Sequence, residues 1–418
     1  MQHPTTATQA WDPLQPSGKV RRSRQLLRVA VVTESYPPEV NGVAHSVARV
    51  VEGLRARQHV VQLVRPRQGS HDVATEQSRH YEVLTRGVPI PMYGHLRMGL
   101  PSTRLLTQLW SRHPPDVVHI ATEGPLGWSA LRAARKLQLP VCSEFRTNFH
   151  AYSQFYGVGW LHQPIMAYLR SFHNRCHRTM VPTDALRTQL ALSGFCDLSV
   201  VARGVDTQLF SPHRRSAELR AQWGVQEGDL VALYVGRLAP EKNLGVLVRA
   251  FQELRSRHPR ARLVVVGDGP SRSALQVQCP RAIFAGFRAG VDLAAHYASS
   301  DLFLFPSLTE TFGNVTLEAM ASGLAVVAFN DAAAGQLITH GTHGLLATKG
   351  DVAEFSTLAN DAAGDAALLL GLGVAARMKA LELGWENILR KIEKVYAAAM
   401  VQAQSHALPR VWSQVQRN

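Results

Sequence analysis

Short apolar runs alternate with segments of helical period along most of the chain. LLRVAVV, HVVQLV, DVVHIAT, LPVCSEF and RTMVPT read as buried strands. Between them, NGVAHSVARVVEGLRAR puts Val43, Val47, Val50, Val51 and Leu54 on one helical face. GWSALRAARKLQ, PIMAYLRSFHNRC and DALRTQLALSGF supply further helices. The alternation pauses around VARGVDTQLFSPHRR and a linker helix, SAELRAQWG, follows. A second series then runs through LVALYVG, NLGVLVRAFQELRSR, RLVVVG, AAHYASS, DLFLF, VTLEAMAS and LAVVAF. Such alternation predicts parallel sheets with crossover helices. The fold class is therefore α/β, with two Rossmann-like domains over 26–205 and 206–383 facing across a cleft. The segment WENILRKIEKVYAAAM carries Ile388, Ile392, Val395 and Tyr396 on one face. It predicts an amphipathic helix over 384–401 that docks back on the first domain. Residues 1–25 and 402–418 lack this patterning and read as a disordered leader and tail.

Composition narrows the classes. A chain of 418 residues fits two domains, and 46% hydrophobic residues suffice for two cores. No run of about 18 apolar residues occurs, so no spanning helix is expected. The first residues lack the apolar core of a signal peptide. Four scattered cysteines form no C-x-x-C pair, which excludes a zinc knuckle or a disulfide framework and fits a reducing cytoplasm. Residues 1–205 hold 24 Lys and Arg against 12 Asp and Glu, so nearly all of the net +14 lies in the first half. A cationic half attracts anionic surfaces, which makes an anionic membrane a candidate partner. The alternative is a solvated basic face. No helix-turn-helix, RNP-type aromatic motif or dense basic run is present, so nucleic acid is not an expected partner. The expected location is cytoplasmic, with peripheral attachment to the inner membrane face as its extension.

The candidate chemistry lies at strand–helix junctions. FPSLTETFGNVTLEAMASG, residues 305–323, places Glu310 on the loop after the DLFLF strand. Glu318 falls about one turn into the next helix, and Gly323 suits a left-handed cap at its end. Ligands of open α/β sheets bind at that edge. A helix N-terminus there suits a phosphate, and two carboxylates suit sugar or ribose hydroxyls. Read alone, the pair also fits an ordinary helix-end arrangement. LYVGRLAPEKNLGVL ends a strand at Gly236 and starts a helix at Pro240 and Glu241, with Arg237 and Lys242 beside the turn. Two cations there suit a diphosphate, with exposed surface charges as the alternative. Neither this junction nor VVVGDGP contains G-x-G-x-x-G, so a dinucleotide cofactor is weakly supported.

GRLAPEKN, VVGDGP and FPSLTETFGNVTLEAMASG, in this order and spacing, resemble the retaining glycosyltransferases of family four, which have the GT-B fold. The resemblance covers most of residues 27–400. It implies a nucleoside diphosphate sugar as donor, bound in the interdomain cleft, and a lipid or glycan acceptor on the first domain. Carried over by position, Arg237 and Lys242 hold the diphosphate, Glu310 contacts the sugar hydroxyls and Glu318 the ribose. Gly236 lies at the same turn, and the backbone of Phe312, Gly313, Asn314 and Val315 lines the sugar and phosphate site. Gly286 and Phe287 lie by the base. PPEVNGVAHS is similar to the family's glycine loop, bringing Asn41, Gly42 and Val43 to the donor phosphates. The implied chemistry is same-face attack with departure of the nucleoside diphosphate. No D-x-D pair lies near the site, so no metal and no other cofactor is expected. RTNFHAY and VARGVDTQLF resemble GDP-mannose-dependent alpha-mannosyltransferases, which points to mannose.

One departure stands out. Many relatives read F-H-T-N-F where this chain reads EFRTNFHAY, with Arg146 in place of the histidine. Arg146 cannot act as a base, but it suits an anionic sugar, acceptor or diphosphate. His150, four residues on, is the candidate substitute. His119 also matches a family position, with a hydrogen-bonded strand-end histidine as the alternative. Two further readings keep the fold: a nucleotide-sugar epimerase and a catalytically silent binding subunit.

Overall fold

The computed structural model describes residues 26–39, 41–69, 72, 81–90, 93–146, 162–310 and 312–407. The strands of the first half are β1 (Arg28–Val32), β2 (Val60–Pro66), β3 (Glu82–Thr85), β4 (Gly87–Ile90), β5 (Tyr93–Gly99), β6 (Val117–Ile120), β7 (Val141–Glu144), β8 (Arg178–Val181) and β9 (Leu198–Val200). Seven of them form one sheet in the order β3-β2-β1-β6-β7-β8-β9, while β4 and β5 form a separate antiparallel pair. The second half contributes β10 (Val231–Val235), β11 (Arg262–Val266), β12 (Ile283–Gly286), β13 (Leu302–Phe305), β14 (Ala325–Phe329) and β15 (Leu345–Ala347), ordered β12-β11-β10-β13-β14-β15. The pairings in both large sheets are parallel.

Parallel strands need both faces covered, and the runs are apolar accordingly. Every residue of β6, β7, β10, β13 and β14 is buried. In each sheet the strand order reverses once, between β1 and β6 and between β10 and β13. A crevice opens at the carboxyl ends of strands where the order reverses. The chain's candidate residues cluster at both of these places.

The final helix, Trp385–Ala407, crosses back onto the first domain. Ile388, Ile392, Val395 and Tyr396 are all buried. Leu389 fills the space over Gly53, where an added Cβ would stand 2.4 Å from Leu389 Cδ1. Glu393 accepts from Arg57 Nε and Nη2 at 2.8 Å each and lies 2.8 Å from His59 Nε2. The helix runs to Ala407, beyond the end expected at 401. The 1–25 leader, His150 and residues 408–418 lie outside the described residues. No single helix among the described residues is long and apolar enough to cross a membrane.

Several elements were not read from the sequence, among them β9, β12, β15 and the helices Arg272–Gln278, Ala332–Leu337 and Val352–Gly364. The β3–β5 region and helix Thr103–Arg112 lack clean periodicity. Helix Ala366–Leu381 is apolar around much of its circumference, which hides its period. Pro240–Lys242 is a 3-10 turn rather than the start of the helix. Asn243 then takes a left-handed conformation (φ 56°), and the α-helix begins at Leu244.

Candidate active site at the facing sheet edges

In the second domain the site grows from adjacent strand ends. Gly267, after β11, sits so close to the β10 end that an added Cβ would lie 2.0 Å from Gly236 O. The same holds for Gly269, whose Cβ would stand 2.4 Å from Leu238 O. The glycines of GDGP therefore serve to pack one strand end on the next. After β13, the chain turns at Gly313 (φ 90°) into helix Asn314–Ala321. That turn brings an added Cβ at Gly313 to 3.4 Å from Glu310 Cγ. Gly323 ends the helix in the left-handed region, as its sequence context implied.

The charged groups on this wall are paired. Lys242 Nζ donates to Glu310, which also accepts from Ser307 Oγ at 2.8 Å. Arg237 pairs with Glu241. Thr309 Oγ1 donates to Glu241 O at 3.2 Å and ties the two junctions together. Glu318 accepts from Tyr297 Oη at 2.9 Å. Burial pushes the Glu318 carboxyl up to about 7, against the lowering effect of that hydrogen bond.

The first domain supplies the other wall. Asn41 caps helix Gly42–Ala56, its Oδ1 accepting from Ala44 N at 2.8 Å. Gly42 looks across the cleft: a Cβ there would meet Asn314 Nδ2 at 3.8 Å. Below it, Ser46 Oγ donates to Gly42 O at 2.6 Å and accepts from Arg146 Nη1 at 2.7 Å. Arg146 Nη2 donates to Glu144 at 2.7 Å, and Arg203 Nη1 donates to the same carboxylate at 2.5 Å. His119 Nε2 lies 2.7 Å from Glu144 Oε1, and its Nδ1 lies 2.7 Å from Tyr396 Oη on the crossing helix. Burial works to raise the Glu144 carboxyl, but Arg146, Arg203 and His119 hold it well below its ordinary range. Burial lowers Arg146 to about 10, so it stays a cation at neutral pH. Arg146 is thus paired within its own domain, sharing the Glu144 carboxylate with Arg203.

Between the walls lies a cavity of about 930 Å³. Gly42, Val43 and Arg146 line it from one side, and Glu310, Phe312, Gly313 and Asn314 from the other. Lys242 stands behind Glu310, and Arg237 and Gly236 stand on the next strand end. Val315 is partly buried against the core. Gly286 ends β12, two strands from β13's neighbour β10, and the exposed Phe287 follows it. Glu318, Gly286 and Phe287 do not line this cavity. Among the described residues, no group of three or more His, Cys, Asp or Glu is placed to hold a metal ion.

Sequence reasoning missed Glu34, Ser46, Glu123, Glu144 and Arg203. Nothing in their local sequence marks them: Glu34 bonds Leu126, Arg203 bonds Glu144, and Ser46 takes Arg146 from far along the chain, while the near pair Glu144 and Arg146 gains its meaning only from burial. The signal that existed was position: Glu34 follows β1 and Glu123 follows β6, the strands at which the first sheet reverses.

Comparison with known proteins shows the family and the fold. Residues 40–209 match the Glycosyltransferase Family 4 model, and residues 229–365 match that of Glycosyl transferases group 1. The chain is 37% identical over 328 residues to a GDP-mannose-dependent alpha-mannosyltransferase of Mycobacterium tuberculosis, covering 78% of this chain and 85% of the relative. A protein of the same name from Corynebacterium glutamicum is 36% identical over 79% of this chain and 78% of its own. Sulfoquinovosyl transferase SQD2 of Arabidopsis thaliana is 31% identical over 89% of this chain and 74% of its own. Among solved structures, Anabaena Alr3699/HepE in complex with UDP and glucose superposes with a TM-score of 0.70. At 22% identity over 89% of this chain and 100% of that one, it shows the shared GT-B fold.

Proposed function

The chain belongs to glycosyltransferase family 4, and from that premise we propose that it moves mannose from GDP-mannose to a lipid or glycan hydroxyl with retention. Hexosyl transfer from a nucleotide sugar is the activity of the family. The observation that carries the reading is the meeting of Glu310 and Asn314 with Gly42 around one cavity. Mannose and guanosine rest on the two relatives named for them.

The pairing of Lys242 with Glu310 and of Arg237 with Glu241 gives the binding step a physical form. An arriving diphosphate competes with Glu310 for Lys242 and with Glu241 for Arg237. Its greater charge draws the cations away, and Glu310 is released to accept hydrogen bonds from sugar hydroxyls. The bond from the anomeric carbon to the diphosphate oxygen breaks while the acceptor oxygen bonds that carbon from the same face. The acceptor's proton leaves with the departing phosphate. Arg237 and Lys242 stabilise the charge growing there, in a site that is already organised. Two cations in this place substitute for a divalent ion, so transfer proceeds without metal. The basic first half supports an anionic membrane as the surface from which the acceptor is taken.

The test is a panel of GDP-mannose, GDP-glucose and UDP-glucose with the purified chain, a lipid extract and either EDTA or magnesium. The expected result is an α-linked mannosyl product at the same rate in EDTA. Preference for a uridine donor, or epimerisation of the donor sugar without acceptor, overturns the donor assignment, and strict metal dependence overturns the metal-free step. Co-sedimentation with anionic liposomes at low salt, lost as salt rises, is expected for the membrane role.

A further inference from the structure

Three carboxyls that the donor chemistry does not use line the cavity: Glu34, Glu39 and Glu123. Glu39 is already held, its Oε2 accepting from Ser35 Oγ at 2.6 Å and its Oε1 from Gln68 Nε2 at 3.0 Å. Glu34 follows β1, and its Oε1 accepts from Leu126 N at 2.8 Å, at the start of helix Pro125–Lys136. Gly124 permits this approach, since a Cβ there would stand 2.3 Å from either oxygen of Glu34. Glu123 follows β6 on the neighbouring strand end, also lines the cavity and is only 6% exposed. Its Oε1 has no hydrogen-bond partner among the described residues. A helix-capping role accounts for Glu34 but leaves Glu123 unexplained. A buried carboxyl oxygen without a partner is unfavourable unless a ligand supplies one.

Resting on the glycosyl-transfer reading above, we propose that Glu34 and Glu123 form the acceptor subsite and that the acceptor is an amphiphile with an uncharged, hydroxyl-bearing head. The carboxyls hold the head facing Glu310 and Asn314 across the same cavity. The apolar body runs along helix His162–His173, where Ile165, Tyr168 and Leu169 line the wall. Tyr168 Oη donates to Glu123 O at 2.5 Å, which joins the apolar wall to the carboxyl pair. Burial pushes both carboxyls up to about 7, and the charge of Glu34 adds to the rise at Glu123. Near neutral pH such a pair keeps a proton, so it both donates and accepts, as a hydroxyl requires. Arg146, which also lines the cavity, works against the rise at Glu123, but it and Arg203 are engaged by Glu144. Beside Glu34 and Glu123 a second anion meets like charge.

The experiment uses the full chain, GDP-mannose as donor and three acceptor probes: octyl glucoside, glucose and octyl phosphate. Transfer to octyl glucoside alone is expected. Glu123→Gln should raise KM for octyl glucoside about 10-fold, with Glu34→Gln as a second variant. KM for GDP-mannose and its acceptor-free hydrolysis should stay at wild-type values in both, a split that a merely structural role would not give. Transfer to glucose or octyl phosphate at the octyl glucoside rate overturns the proposal, as do variants with unchanged acceptor KM or with impaired hydrolysis. Calorimetric binding of octyl glucoside without donor keeps the two readings separate. A chain inert towards GDP-mannose whose octyl glucoside binding is weakened by Glu123→Gln refutes the donor reading and supports the subsite. Binding unaffected by either variant overturns the subsite and leaves the donor reading intact.

Discussion

Charged groups on the donor wall are drawn from neighbouring strand ends of one sheet: Arg237 and Lys242 after β10, Glu310 after β13. They are paired locally, with Glu310 on the cavity wall, Lys242 buried behind it and Arg237 partly exposed. On the facing wall, Glu144, Arg146, His119 and Tyr396 are buried, and Tyr396 arrives from the far end of the chain. The first arrangement can exchange partners when an anion enters. The second cannot, because each member lies in a dry setting where an unmatched charge is expensive. One wall is therefore suited to respond to ligand, and the other to hold its shape beneath the glycine loop.

Removing Glu144 should break that contrast most severely. Glu144→Ala leaves the buried Arg146 and the half-buried Arg203 without their shared carboxylate, at a loss of about 3–5 kcal/mol in stability. Urea unfolding measures it, and a loss below about 1 kcal/mol would show that the network does not hold the wall. Next in size is a pH effect on the other side. The Glu318 carboxyl lies near 7 in the folded chain against an ordinary 4.5. Its neutral form favours the fold fully below the unfolded value, and this contribution of roughly 3 kcal/mol fades as pH rises through 7. Relative to wild type, donor-free Glu318→Gln should gain stability between pH 5 and pH 8; parallel melting profiles would refute this.

Lys242→Ala should lower kcat for GDP-mannose transfer on the order of 100-fold while leaving the unfolding midpoint near wild type. Equal losses of stability and activity would erase the distinction between the walls. The smallest expected effect is that of Tyr396→Phe, which leaves the buried His119 Nδ1 without its partner. It should reduce stability by about 1 kcal/mol, read by thermal melting, with the donor KM unchanged. A shifted donor KM would mean that the crossing helix tunes the glycine loop directly.

Much of the donor wall was legible because its signals are local. The run DLFLF, the break at Pro306, the turn at Gly313 and the cap at Gly323 each follow from a few consecutive residues. The helix after β10 was misplaced because Asn243 adopts a left-handed conformation that residues around it do not announce. The end of the last helix was set too early, since AAAMVQAQSHA continues without an apolar stripe; its anchors are the buried Ala399 and a hydrogen bond from Gln402 Nε2 to Asp197 at 3.2 Å, which only the fold supplies.

By itself, then, the sequence determined the alternation of strands and helices, the division into two α/β series and the strand ends that carry Arg237, Lys242, Glu310 and Glu318. Periodicity and turn chemistry act over a few residues, so they survive without the fold. Only the tertiary structure decided that Lys242 pairs with Glu310, that Gly42 faces Asn314 and that Tyr396 reaches His119. It alone left Glu123 buried in the cavity with an oxygen that has no partner among the described residues. Those pairings join residues far apart in the chain, and their energies depend on burial, which exists only once both sheets and the crossing helix have closed around them.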